Sequence, residues 1–266
     1  MRIAGNTDSA GNSCTPDALA LVEECDRDVI ASYQRKIATY LHEMSCLDGL
    51  GQLGSRRSLP AQVLKYFQKV VGLYDASTQY FLGRLHRRGS TVQCRPDCAF
   101  CCCNMPSGLS TMELIYIYHG SISTGIAPRL FRRCLEAQEQ WTELIHRTCR
   151  VALSENGRPL TREALLKSYQ GLCIPCPFLQ GTSCRIYPYR PLACRMHFSL
   201  SPPSWCDPSH FQTDYAVQFN VEPGECVQDA LEVLDDCFHL NISDIMVCGL
   251  LELTVNVMEF EPIQWK

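Results

Sequence analysis

Apolar residues recur every three to four positions along much of this chain, the spacing that places them on one face of an α-helix. In 128–153, for instance, Leu130, Trp141, Leu144 and Ile145 fall near one face. Strand-like alternation is sparse, so the predicted fold class is mainly α, a helical domain organised around an irregular, loop-rich multi-cysteine centre. The predicted helices are 16–44, 59–86, 110–119, 128–153, 161–169, 207–219, 222–240 and 243–260.

Local signals mark several helix ends. Thr15 before Pro16 is a typical cap and first-turn pair, and Ser110 with Glu113 forms a capping box. The glycine- and serine-rich 49–58 is predicted to be a loop, and 172–208 is a proline-rich, irregular segment. We predict four regions: a flexible N-terminus (1–15), an N-terminal helical region (16–90), a cysteine-cluster metal-binding domain (91–208) and C-terminal helices packing on it (209–266).

Composition is that of an ordinary globular protein. Of the 266 residues, 46% are apolar and 20% are charged, and the formal net charge is −4. The acidic balance argues against a nucleic-acid partner, since nucleic-acid binders are usually basic. No signal peptide and no uninterrupted apolar run of membrane-spanning length is visible, so we expect a cytoplasmic protein without a membrane partner.

Cysteine usage carries most of the chemical information. The chain has 18 cysteines, which a reducing compartment would keep as thiols rather than disulfides. Eight are isolated thiols in helical or terminal contexts, where cysteine usually behaves as a small hydrophobe. The others cluster in two segments, and thiolates at such short spacings can converge on a soft metal or a cluster. They are Cys94, Cys98, Cys101, Cys102, Cys103, Cys173, Cys176, Cys184, Cys194 and Cys206.

The spacings leave the identity of the metal open. Only Cys98 and Cys101 have the two-residue spacing of a zinc knuckle, and the irregular gaps elsewhere suit an iron–sulfur cluster at least as well. Cys101 and Cys102 are adjacent, so one of them would serve a second metal or lie beside the first. Arginines near the thiols, chiefly Arg190 and Arg195, would offset the negative charge of a bound cofactor. His197 is interpreted as a polar neighbour rather than a ligand.

These motifs together resemble those of a known family. Cys94-x3-Cys98-x2-Cys101-Cys102, Cys176-Pro-Phe-Leu, Cys184-x-Ile-Tyr and Arg190-Pro-x-x-Cys194-Arg resemble the CxxxCxxCC cysteine-cluster (YkgJ-like) family, described as a zinc- or iron-chelating domain. The resemblance covers about 92–207. It implies ligand roles for Cys94, Cys98, Cys101, Cys102, Cys176, Cys184 and Cys194, with Cys206 where members often carry a further cysteine. Cys103 and Asp97 depart from the pattern.

Three functions follow as hypotheses. The first is a metal-binding protein holding an iron–sulfur cluster, of the 4Fe–4S type, or zinc or iron. The second is an S-adenosylmethionine-dependent protein lysine N-methylase, because the family includes flagellin lysine-N-methylases. In addition, Cys94-x3-Cys98-x-Phe100-Cys101 has the CxxxCx(aromatic)C spacing of the radical S-adenosylmethionine enzymes. That spacing normally follows the first strand of a partial α/β barrel, and this chain is strand-poor. The third is a redox or metal sensor. These hypotheses imply that the protein acts on a protein substrate or exchanges electrons with a redox partner.

Overall fold

A computed structural model describes residues 24–95, 97–154, 161–240, 242 and 245–266. This part of the chain is mainly helical, as predicted, and its strands are two or three residues long. The helices are α1 (Glu24–Ser45), α2 (Leu53–Arg56), α3 (Ala61–Arg87), α4 (Thr111–Ser123), α5 (Ala127–Ser154), α6 (Arg162–Gln170), α7 (Leu192–Arg195), α8 (Glu225–Phe238) and α9 (Met246–Glu252). The strands are β1 (Ser58–Leu59), β2 (Leu179–Gln180), β3 (Ser183–Cys184), β4 (His197–Ser199), β5 (Gln218–Asn220) and β6 (Gln264–Trp265).

The packing of long amphipathic helices forms most of the core. The α1 helix lies against α3 and α8, and its inward residues Ile37 and Leu41 are almost fully buried. On the other side, α5 packs against α9 and α6. One continuous apolar cluster joins these helices. None of the helices in the described ranges combines the length and the apolar character that crossing a membrane would need.

The α4 helix is the central element of the fold. It packs against α5, α8 and α9 and is buried on nearly every face, which fits its mostly apolar sequence. Its start confirms the predicted capping box: the Ser110 hydroxyl accepts the Glu113 N–H at 3.3 Å, and Glu113 Oε2 accepts the Ser110 N–H at 2.9 Å. This cap fixes where α4 begins, directly after the first cysteine segment.

Three short strand pairs tie distant segments together. β1 and β6 pair in parallel, β2 and β3 form an antiparallel hairpin, and β4 and β5 pair antiparallel with Phe198 opposite Phe219. A second apolar cluster joins β5 to α1 and α3. It contains Ile30 of α1, Phe81 of α3 and Phe219 of β5. The β4–β5 pair, whose first strand lies within the second cysteine segment, is thereby anchored on the first helices of the chain.

The prediction of a helix at 207–219 was wrong. Only a 3₁₀ turn at Thr213–Tyr215 is helical there, and β5 begins at Gln218. Asp207 accepts the backbone N–H of Ser209 at 2.9 Å, a local hydrogen bond that competes with helix formation. Phe219 is buried between two half-buried neighbours, so its packing follows strand alternation.

Other boundaries also differ. The predicted helix 243–260 is shorter: Ser243 and Asp244 lie outside the described residues, α9 ends at Glu252, and a π-helical turn spans Leu253–Val257. The predicted loop 49–58 contains a 3₁₀ turn and α2. The predicted start of the first helix, with its Thr15–Pro16 cap, lies outside the described residues. The predictions at 59–86, 128–153 and 161–169 are confirmed within two residues.

Candidate metal centre

Six of the eight cysteines that were predicted as metal ligands line one cavity of about 280 Å³. The two segments that carry them meet through a backbone hydrogen bond, in which the Cys176 N–H donates to the Cys102 carbonyl oxygen at 2.7 Å. Helix α7 and the β2–β3 hairpin, both in the second segment, also line the cavity. The six are Cys98, Cys101, Cys102, Cys176, Cys184 and Cys194.

The remaining two predicted ligands, Cys94 and Cys206, lie beside this cavity and do not line it. They meet at Ser199, the last residue of β4. The Ser199 backbone N–H donates to Cys94 Sγ at 3.2 Å. Burial raises the pKa of the Cys206 thiol, and the Ser199 side chain partly opposes this shift. The turn Phe100–Cys103 packs against the turn Pro203–Cys206. Cys94 and Cys206 are therefore neighbours of the first cysteine segment.

Burial favours the protonated form of two of these thiols, Cys176 and Cys194, in the absence of a bound cation. It raises the pKa of Cys194 to about 12, with a further increase from the nearby Cys101 thiol. Burial also raises the pKa of Cys176 well above its ordinary value, and Cys194 and Cys184 add to the effect. A positive metal would reverse this balance, since coordination stabilises the thiolate.

Arg190 is the cation of the cavity. Its guanidinium lies 3.5 Å from the centroid of the Tyr187 ring, and its Nε donates to the Tyr187 carbonyl oxygen at 3.2 Å. Its charge lowers the pKa of Cys184 and Cys194 against the larger effect of burial. It also lowers the pKa of Cys101, against larger increases from a hydrogen bond with Cys102 and from burial. Arg190 thus occupies the position expected of a group that offsets thiolate charge.

Arg195, predicted to act with Arg190, does not line the cavity. Its buried guanidinium donates to Asp75 Oδ2 and to the Pro188 carbonyl oxygen, both at 2.6 Å, and its Nε donates to the Arg190 carbonyl oxygen at 2.9 Å. It is a positioning residue, because it holds the backbone of Arg190 against α3. It also lowers the pKa of Cys184, though less than Arg190 does.

As placed, the cysteines do not form a closed coordination sphere. Within the described ranges, no group of three or more Cys, His, Asp or Glu side chains is arranged so that it could hold a metal ion. Cys103 and Cys173 do not line the cavity. His197 does, and its Nδ1 is 2.9 Å from Asn220 Oδ1, the pairing expected of a polar neighbour.

Three residues of the site were not identified from the sequence. Arg133 of α5 donates to the carbonyl oxygens of Leu179 at 2.6 Å and Cys176 at 3.2 Å. Glu113 accepts the Leu192 N–H at 2.7 Å at the start of α7. Asn104 lines the cavity, and its buried Oδ1 accepts no hydrogen bond from the described residues. Arg133 and Glu113 lie on helices whose apolar periodicity is ordinary, so their roles in the site are visible only from tertiary contacts.

The chain was compared with protein-family models, curated proteins and solved structures. None of them matches it. The resemblance to the cysteine-cluster family, and the ligand roles that it implies, therefore stay predictions.

Proposed function

We propose that this is a metal-binding protein whose cysteines hold an iron–sulfur cluster, with zinc as the alternative. One observation carries the proposal: six predicted ligand thiols, from two segments more than seventy residues apart, line a single cavity. Core packing has no need to gather so many thiols, whereas soft metals and clusters bind thiolates in preference to other ligands.

The residues of the cavity fit a cluster in two respects. A volume of about 280 Å³ is several times the ~30 Å³ share of one water molecule, so it offers room beyond a single ion. Arg190 supplies positive charge beside an anionic thiolate set. A cluster bound here would supply one-electron transfer, and the thiols would hold it while Arg190 tunes its charge.

The methylase hypothesis gains nothing from the fold. The described residues contain paired strands only two or three residues long, and α3 rather than a barrel strand precedes the first cysteine segment. A redox or metal sensor is favoured by one specific feature. The site joins segments on both sides of α4, α5 and α6, so metal binding would be coupled to the packing of those helices.

The test is elemental analysis with visible absorption of protein purified without oxygen, which also preserves the reduced state expected of a cytoplasmic protein. We expect iron and acid-labile sulfide in equal amounts, with a broad band near ~400 nm. Cys184→Ser should lose the band, and Cys149→Ser, which changes an exposed thiol on α5, should keep it. Protein free of iron and zinc after supplementation with both would refute the proposal.

A further inference from the structure

A second cavity, of about 280 Å³, shares the Phe178 side chain with the cavity of the candidate metal centre and is lined by three arginines. Arg129 and Arg133 lie in the first two turns of α5, and Arg185 directly follows β3. We call it the arginine cavity. Arginine is the side chain best suited to phosphate, because its planar guanidinium is always charged and donates hydrogen bonds in pairs. We propose that the arginine cavity binds the phosphate group of a small organic molecule.

The positive charge of the arginine cavity is not balanced within it. No aspartate or glutamate is among the described residues that line it, and the first turn of α5 contains no acidic residue. None of the salt bridges between described residues involves Arg129, Arg133 or Arg185. This local excess of positive charge occurs in a chain whose formal net charge is −4. Guanidinium groups gathered in one concave site repel one another, and a bound anion would offset that repulsion.

Arg133 is held in place without a ligand. It is half-buried, and its two terminal nitrogens donate to the carbonyl oxygens of Leu179 at 2.6 Å and Cys176 at 3.2 Å. A guanidinium has five N–H donors, so these contacts leave donors for an anion. Arg129 and Arg185 are exposed, and neither side chain donates a hydrogen bond to another residue that the structure describes. The site therefore combines one fixed arginine with two that are free to turn towards a ligand.

The size and the wall of the arginine cavity favour an organic phosphate over a bare ion or a carboxylate. Its volume of about 280 Å³ is several times the ~30 Å³ share of one water molecule, so it holds more than a phosphate group alone. Ile126, Leu130 and Phe178 form an apolar part of the wall, which would cover a ring or a short carbon chain. A phosphate monoester has three free oxygens and close to two negative charges, so several arginines can bind it at once. A carboxylate offers two oxygens and one charge.

The test is isothermal titration calorimetry of the full-length protein with phenyl phosphate, in a buffer without other multivalent anions. The wild type should bind phenyl phosphate more tightly than benzoate, which lacks the second charge, and than inorganic phosphate, which lacks the ring. Arg185→Ala should weaken the binding by ~10-fold, because a charged hydrogen-bond donor is lost, and Arg185→Lys should weaken it less. Arg132→Ala is the matched control. It removes a positive charge from the same end of α5 at an exposed residue that does not line the cavity, so it should bind as the wild type does.

Each outcome supports or overturns this assignment. A wild type that does not bind phenyl phosphate in the millimolar range, or equal binding by the wild type and Arg185→Ala, would overturn the proposal. Equal affinity for benzoate would overturn the assignment to phosphate, and equal affinity for inorganic phosphate would overturn the organic part of the ligand. The proposal does not depend on the metal. Iron and zinc in the same samples test the proposed function separately, and Arg185→Ala should leave their content unchanged, since Arg185 does not line the cavity of the metal centre.

Discussion

Glu113 is a buried carboxyl group at the point where the start of α4 meets α7. It accepts hydrogen bonds from the backbone of Ser110 and of Leu192, two residues before Cys194. Burial raises the pKa of Glu113, and those backbone donors partly oppose the shift. A single side chain therefore both caps the central helix and holds the segment that carries a predicted ligand.

Glu113→Ala should lower the free energy of unfolding by ~2–4 kcal/mol, because it leaves two buried N–H groups without an acceptor. Ser110→Ala removes the hydroxyl of the same capping box and should cost only ~1 kcal/mol. Urea denaturation of both variants measures the difference. Equal losses would mean that the hydrogen bond to Leu192 contributes nothing.

Arg133 holds the second cysteine segment from α5. Arg133→Ala should lower the free energy of unfolding by ~1–3 kcal/mol, since the carbonyl oxygens of Cys176 and Leu179 lose a charged donor. It should also reduce the metal content. Arg132→Ala, at an exposed neighbour on the same helix, should be neutral within ~0.5 kcal/mol in the same urea titration. Matching effects of the two substitutions would contradict the role of Arg133.

Residue identity alone located the thiols but not the groups that position them. Spacing identified Cys176 and Cys184 as candidate ligands because metal ligation needs clustered thiols, and both line the cavity. No comparable rule exists for Arg133 or Glu113, whose roles depend on which helix faces which loop. The predicted common role of Arg190 and Arg195 illustrates the same limit: only Arg190 lines the cavity, and Arg195 turns to Asp75.

Among the helices, α4 packs against the turn Tyr187–Tyr189 of the second cysteine segment. Gly120 lies under the Tyr189 ring, so that a Cβ at this position would collide with that ring. Tyr189 also packs against Tyr116 and His119, with ring centroids 5.1 and 5.8 Å away. Because Gly120 has no side chain, the turn Tyr187–Tyr189 can pack directly against α4.

Gly120→Ala should therefore destabilise the protein by ~1–3 kcal/mol, because overpacking outweighs the gain in helix propensity. Gly72→Ala on α3 is the matched control. No atom lies within 4 Å of its added Cβ, so it should stabilise the protein by ~0.5–1 kcal/mol. Thermal unfolding of the two variants would show shifts of opposite sign. A stabilised Gly120→Ala would contradict the close packing.

Element by element, periodicity predicted the long helices well because their burial is one-sided and regular. It failed at 207–219, where an Asp207 side chain and the burial of Phe219 decide the structure locally. It also failed to predict the strand pairs, since two residues carry no detectable alternation. β1 and β6 pair across about two hundred residues, and such a contact is visible only in the folded chain.

At the scale of the whole molecule, stability should depend on pH through Asp235, which lies on α8 and accepts the Thr111 N–H at 2.9 Å. Burial raises its pKa to about 6, with smaller increases from the negative charges of Glu113 on α4 and Asp236 on its own helix. Because the folded state holds this proton more tightly, the stabilisation is complete below pH ~4 and is lost as the pH rises through 6.

Asp235→Asn should remove this dependence. Between pH 4 and pH 7 the wild type should lose ~1–2 kcal/mol of unfolding free energy relative to the variant, a value reduced for the partial exposure of the group. Urea titrations of both proteins at the two pH values provide the measurement. Glu232→Gln, at an exposed position of the same helix, serves as the control. Parallel curves for wild type and Asp235→Asn would contradict the assignment.

The contact between α1 and α8 has a consequence for synthesis of the protein. About 180 residues separate the end of α1 from the start of α8, so a ribosome working at ~5–20 residues per second needs about 10–40 s to complete the pair. During that interval α3 can cover part of the apolar face of α1, and the part that α8 covers in the folded protein stays exposed. The nascent chain should therefore be a client of chaperones that recognise exposed amphipathic helices until α8 has emerged.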